Sequence, residues 1–213
     1  MSCGDEGLAL LSLTERKKLL RKRAKLMLKD LFSDSNLACE MAKSVASYFL
    51  NSDIYKNAPA VFAYMAMSDE IDLKAVMERT VADGKKLYLP RMKPGTSEMD
   101  FYLVENLNSD FSTDNPYKIR EPSASCPVAP VDEIPDGSAF LVPGLAFNLN
   151  GDRLGRGKGY YDRYLSAVRE TGKKFFFCGV CTVNVITKAI PVEENDVYVT
   201  NLLSEYGFVE CKR

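Results

Sequence analysis

Apolar residues return every three or four positions across 12–32. Leu13, Leu20, Ala24, Met27, Leu28 and Leu31 share one helical face. Ser12 and Glu15 stand at capping-box spacing in front of it. A second amphipathic stretch carries Leu37, Met41, Val45, Tyr48 and Phe49. The period then changes. An unbroken apolar run at 60–66 predicts a strand buried on both faces. Residues 72–83 predict a helix that packs Leu73, Val76 and Met77 and closes at Gly84. A strand follows at 86–89, stopped by Pro90. The stretch 91–135 is rich in Pro, Ser and Asn, with a short strand at 101–104. Another buried strand at 139–142 ends at Pro143-Gly144. A glycine-rich loop at 155–159 feeds a helix that runs to Thr171, with Gly172 behind it. The last predicted strands lie at 175–180, strongly apolar, and more weakly at 197–199 and 208–211.

Strands alternating with helices imply an α/β fold with a largely parallel sheet. Ligands in such folds sit outside the carboxyl ends of the strands. Two loops lie there: the one after 60–66, which carries Glu70, and the one after 139–142. No repeat, low-complexity tract or Gly/Ser linker divides the 213 residues. One domain is expected, with residues 1–11 frayed.

Composition narrows the chemistry. The chain has no histidine, which excludes Ser-His-Asp triads, Cys-His dyads and His-ligated zinc. The net charge is −1, so no whole-surface basic field exists to hold nucleic acid or an anionic membrane. Six cysteines are scattered without a framework, no secretory signal precedes them and no apolar run approaches the length of a membrane span. A reduced, cytoplasmic protein is expected.

The most informative stretch is Gly155-Arg156-Gly157-Lys158-Gly159-Tyr160-Tyr161-Asp162. Alternate glycines let backbone N–H groups turn toward an anion, Arg153, Arg156 and Lys158 add charge, and the following helix points its positive end at the same place. This is a phosphate cradle, with neither Walker nor dinucleotide spacing. Asp162 beside bound phosphates suits Mg²⁺; an acidic residue favoured by the helix dipole is the equal alternative. The 12–32 helix carries Arg16, Lys17, Lys18, Arg21, Lys22, Arg23, Lys25 and Lys29. Most of these read as a solvated face, but acidic neighbours or an anionic ligand must balance some of them. Cys178 and Cys181 form a CxxC inside an apolar strand and read as core residues.

At this point the chain resembles the 5-formyltetrahydrofolate cyclo-ligase family, also called 5,10-methenyltetrahydrofolate synthetase. Leu141-Val-Pro-Gly-Leu-Ala-Phe147 and Gly151-Asp-Arg-Leu-Gly-Arg-Gly-Lys-Gly-Tyr-Tyr-Asp-Arg-Tyr-Leu165 match its signature almost residue for residue. Weaker landmarks follow in the family's order: Lys17 to Arg21, Ser68-Asp69-Glu70, Tyr88-Leu-Pro-Arg91, Met99-Asp-Phe101, Ile119-Arg-Glu-Pro122 and Asn195-Asp196. The resemblance implies a three-layer α/β/α, Rossmann-like domain. It implies MgATP-dependent closure of 5-formyltetrahydrofolate to 5,10-methenyltetrahydrofolate, with release of ADP and phosphate. By position, Lys17, Lys18 and Arg21 would grip ATP phosphates. Arg153, Leu154, Gly155, Arg156, Gly157, Lys158, Gly159, Tyr160 and Tyr161 would form the nucleotide loop, with Arg156 and Lys158 nearest the transferred group. Asp162 and Asp196 would hold Mg²⁺. Met65, Glu70, Met99, Tyr117, Arg156 and Tyr160 would contact the folate. The chain departs from the family pattern at Asn195, where many relatives carry His, and at Tyr117, where Trp is common.

The expected partners are therefore small molecules, met by a monomer. A non-catalytic nucleotide- or RNA-binding protein is the main rival, and a sugar-phosphate isomerase on a similar fold is another. Against the first, no RRM-like segment accompanies the domain.

Overall fold

The computed structural model describes residues 11–113 and 120–212. Helix α1 (Leu13–Leu31) starts with the predicted capping box: the Ser12 hydroxyl accepts from the Glu15 N–H, and the Glu15 carboxylate accepts from the Ser12 N–H. Helices α2 (Ser35–Asn51) and the short α3 (Asp53–Asn57) follow, the latter not anticipated in the pattern. Strand β1 (Ala60–Phe62) is shorter than the apolar run that announces it. Residues 63–66 leave the sheet as a loop whose first two residues, Ala63 and Tyr64, stay buried. Helix α4 (Lys74–Ala82) ends before Gly84, whose φ of 68° is the left-handed turn expected there.

Strand β2 (Lys86–Met92) runs through Pro90 instead of stopping at it. The reason is positional. Pairing with β1 ends at Phe62–Tyr88, so beyond Tyr88 the strand has a neighbour on one side only, where Pro90 sits opposite Phe101. That neighbour is β3 (Met99–Leu103). Two short strands, β4 (Phe111–Ser112) and β5 (Glu121–Pro122), pair beside it. Then come β6 (Ala139–Pro143), the small antiparallel pair β7 (Ala146–Phe147) and β8 (Arg153–Leu154), and helix α5 (Tyr160–Glu170). The chain ends with β9 (Phe176–Val180), β10 (Asn201–Ser204) and β11 (Gly207–Glu210). The strand expected at 197–199 is not one. Val197 and Val199 are buried as loop residues, and the strand begins at Asn201.

The seven strands lie in the order β11-β10-β9-β6-β1-β2-β3. The strands from β10 to β2 are mutually parallel, and β3 and β11 close the two edges antiparallel. Strand alternation builds two cores. Phe62, Tyr88, Phe140, Phe177 and Leu202 face Ala24 and Leu28 of α1 and Tyr164, Leu165 and Val168 of α5. Val61, Leu87, Leu141, Cys178 and Leu203 face Val45, Ala46 and Phe49 of α2 and Val76 and Met77 of α4. The result is the three-layer α/β/α fold. Cys178 and Cys181 are core residues as read, and burial pushes the Cys178 thiol up to about 12.

Aromatic rings tie the first core together. Phe62 stacks between Tyr88 (4.7 Å) and Phe140 (4.1 Å), and Phe140 packs on Phe177 (5.3 Å). The buried ring of Phe147 fills the space that a Cβ at Gly144 or Gly179 would need, at 2.6 and 2.5 Å.

Two outcomes follow from this packing. Phe140→Ala removes the ring at the centre of the stack, and denaturant unfolding should show a loss of about 3–5 kcal/mol. The second concerns alkaline pH. Burial, with a 2.8 Å hydrogen bond to Asp83, pushes the Tyr55 phenol up to about 12. Burial likewise raises Tyr64, Tyr88, Tyr161 and Tyr164. A phenol raised on folding contributes stability that is complete below the ordinary value of about 10 and is lost as pH climbs through the raised one. In a spectrophotometric titration, these five of the eleven tyrosines should ionise together with cooperative unfolding above pH 10. Ionisation of all eleven in a still-folded protein would contradict it.

Candidate active site

The parallel strands run β2-β1-β6-β9-β10, so the order reverses between β1 and β6. At such a switch point the two following loops leave toward opposite faces and open a crevice. Here the loop after β1 leads to α4 on one face, and the loop after β6 leads to α5 on the other. The first carries Met65, Asp69 and Glu70; the second carries the 155–159 glycine loop.

The two loops meet through Arg156. Its guanidinium donates to both oxygens of Asp69, at 2.5 and 3.2 Å, and to Glu70 Oε1, at 3.0 and 3.1 Å. Burial alone would lower the guanidinium's hold on its proton; the two carboxylates more than offset this and keep it charged. Glu70 Oε2 accepts from the Met67 N–H at 2.9 Å.

Behind the loop, Arg153 is buried and donates to Asp162 Oδ1 at 2.6 Å and to the Pro143 carbonyl at 3.2 Å. Asp162 Oδ1 also accepts from the Val197 N–H. From α1, Arg21 Nε donates to the Gly155 carbonyl at 3.0 Å. Lys17 is buried, with its ammonium 2.5 Å from Asp196 Oδ2 and 3.0 Å from Glu193 Oε2. Part of the basic helix is thus balanced by acidic neighbours. Lys18, Lys22, Arg23, Lys25 and Lys29 are exposed, and none has a carboxylate within 4 Å among the described residues. Lys158 is also exposed, at the glycine loop, with no ion pair among the described residues.

Two clefts flank the loop. One, of about 320 Å³, is mainly apolar, walled by Tyr64, Met65, Met92, Met99 and Tyr160, with Glu70, Glu121, Arg156 and Lys158 at its polar points. The other, of about 890 Å³, is polar and holds Asp152, Asp162, Glu193, Glu194, Asn195 and Asp196 beside Arg163 and Arg169. Arg153, Gly159 and Asp162 line both. Met65, Met99, Glu70, Arg156 and Tyr160 therefore line one cleft. Tyr117 lies outside the described residues.

The donor set can be tested against a divalent cation. No three carboxylates or thiols cluster as a ready-made metal cage among the described residues. Asp162 and Asp196 each give one oxygen to a buried cation, and the second oxygen of each accepts no hydrogen bond among the described residues. Two carboxylate oxygens in a polar cleft fit Mg²⁺, which takes one or two carboxylates and completes its shell with phosphate and water.

Sequence reading gave no role to Asp69, Glu121 and Arg163, though each stands in a quoted landmark, and did not mark Glu193. Asp69 is adjacent to Glu70, which was the available signal. Glu121 is buried, accepting from the Met92 N–H, in a stretch whose pattern gives no warning of burial.

The model of the 5-formyltetrahydrofolate cyclo-ligase family matches residues 13–205. A 5-formyltetrahydrofolate cyclo-ligase of Mus musculus is 26% identical over 202 residues, covering 93% of this chain and 98% of the relative. A probable 5-formyltetrahydrofolate cyclo-ligase of Schizosaccharomyces pombe is 30% identical over 151 residues, covering 67% and 72%. The NMR structure of Aquifex aeolicus 5,10-methenyltetrahydrofolate synthetase superposes with a TM-score of 0.76 at 27% identity, covering 92% and 93%. With a match that reaches from α1 to the end of β10 and takes in both loops of the crevice, the chain belongs to the 5-formyltetrahydrofolate cyclo-ligase family.

Proposed function

We propose that this protein is an ATP-dependent 5-formyltetrahydrofolate cyclo-ligase that forms 5,10-methenyltetrahydrofolate, ADP and phosphate. One observation carries the reading: the glycine loop stands between an apolar cleft, lined by its Gly155, Arg156, Lys158 and Gly159, and a polar cleft that it meets at Gly159, with Arg153 and Asp162 lining both. Such a partition suits the passage of a phosphoryl group from a nucleotide on one side to an acceptor on the other.

The reduced pterin occupies the apolar cleft among Met65, Met99 and Tyr160. Glu70 accepts from N–H donors on the pterin edge, as a carboxylate can. The triphosphate occupies the polar cleft against the 155–159 loop, with Arg21 and Lys17 behind it. Asp162 and Asp196 would hold Mg²⁺, which would supply positive charge against the triphosphate.

The formyl oxygen attacks the γ-phosphorus, and ADP leaves. That oxygen carries no proton, so no general base is required. Lys158 and Arg156 offset the charge that builds on the transferred group. N10 then attacks the activated carbon, its proton is lost to solvent, and phosphate departs as the five-membered ring closes. A chain without histidine is fully equipped for this sequence. The free cysteines among the described residues fit work in the cytoplasm, and the proposal takes the protein to act there as a monomer on small molecules.

Purified protein given 5-formyltetrahydrofolate, ATP and Mg²⁺ should produce the absorbance of the conjugated methenyl product. Omitting either ATP or Mg²⁺ should abolish it, and product formed without ATP would refute the phosphoryl route. Lys158→Ala should lower kcat about 10²-fold, the usual loss when one group that stabilises transition-state charge is removed. Lys158 is exposed and forms no ion pair among the described residues, so the melting temperature should stay within about 2 °C. Near-normal turnover would remove Lys158 from the mechanism.

A further inference from the structure

Arg163 sits in the first turn of α5 and faces the polar cleft, yet its guanidinium is committed to two carbonyls. Nε donates to the Ser97 carbonyl at 2.9 Å, and Nη2 donates both to that oxygen and to the Lys158 carbonyl, the latter at 2.7 Å. Among the described residues no carboxylate pairs with it. Ser97 belongs to the 93–98 turn between β2 and β3, which Gly95 closes at φ 74°. The residues on either side of that turn, Met92 and Met99, wall the apolar cleft.

Two further features point to the same junction. Tyr160 donates its hydroxyl to the Thr96 carbonyl at 3.3 Å, a second tie between the helix start and the turn. Gly159, at φ 70°, leaves the gap through which the guanidinium reaches Lys158: a Cβ there would lie 2.8 Å from Arg163 Nη1.

We infer that Arg163 is a positioning residue that fixes the cationic loop at Lys158 relative to the methionine wall of the apolar cleft. The inference rests on the reading of the two clefts given above. A planar fork with several donors can bridge two carbonyls; a lysine ammonium carries the charge without that fixed fork. In a transfer between separately bound partners, rate depends steeply on alignment, and misplacement by about 1 Å can cost about 10²-fold. Loss of the bridge should therefore appear in kcat and leave each ligand's own binding nearly intact.

The test compares the wild-type chain with Arg163→Gln and Arg163→Lys. Hydrogen exchange should quicken at both 93–98 and 157–160 in Arg163→Gln, since both segments lose the same tie. Its kcat should fall about ten- to a hundredfold, with KM for ATP and for 5-formyltetrahydrofolate changed less than about threefold. Arg163→Lys should recover only a small part of the rate. Unchanged exchange, full activity in Arg163→Lys, or a loss confined to KM for ATP would each overturn the inference. Should Arg163→Gln not fold, Gly159→Ala displaces the guanidinium and should quicken exchange in the same two segments. A wild-type protein with no turnover would refute the ligase reading, while the exchange comparison would still decide the bridge.

Discussion

Two neighbouring parallel strands, β1 and β6, send their chains to opposite faces of one sheet, and everything in the site depends on that divergence. It leaves a crevice that neither face fills, bordered by one loop bearing carboxylates and another bearing cations. Charge then draws the two loops together: Arg156 spans the crevice to Asp69 and Glu70. Partly buried cations of this kind are tolerable only when paired, and each is matched within hydrogen-bond distance. Arg153 has Asp162, and Lys17 has Asp196 and Glu193.

These pairs give the polar cleft a particular electrostatic state. Each carboxylate proposed for Mg²⁺ already leans on a buried cation through one oxygen. The sites proposed for metal and phosphate are therefore preassembled around paired charges, with the remaining oxygen of each carboxylate accepting no hydrogen bond among the described residues. Phosphoryl transfer asks mainly for such placement of charge, and little for proton movement. The absence of histidine is compatible with the chemistry for that reason.

Much of this was legible in the residues. The capping box of α1, the turn at Gly84 and the core positions of Cys178 and Cys181 followed from local rules of period and cap. The alternation of elements gave the parallel sheet, and the Gly-Arg-Gly-Lys-Gly spacing gave the loop. What failed depended on neighbours. Pro90 reads as a strand end because the sequence does not reveal that β1 has already stopped beside it. Val197 and Val199 read as a strand because they are apolar at alternate positions, but a loop can also bury alternate residues. Arg163 stands in the quoted motif without a role and Glu193 was not marked, since their partners are backbone carbonyls and a lysine on a distant helix. The family motif supplied Met65 and Met99 for the apolar cleft; no periodicity distinguishes them from ordinary core methionines.

Phe147 is fully buried. Its ring occupies the volume of the missing side chains at both Gly144 and Gly179, one next to the glycine loop's own strand pair and the other inside β9. Three positions far apart in sequence thus share one small space. A methyl group at either glycine collides with the ring, and a smaller residue at 147 leaves a hole beneath β8. Drift at these sites is consequently a matter of order: a larger residue at 144 or 179 becomes accessible only after 147 has shrunk, and that first step weakens the floor on which Arg153 rests. Descendants of this sequence are expected to keep all three residues together or to exchange them as a set.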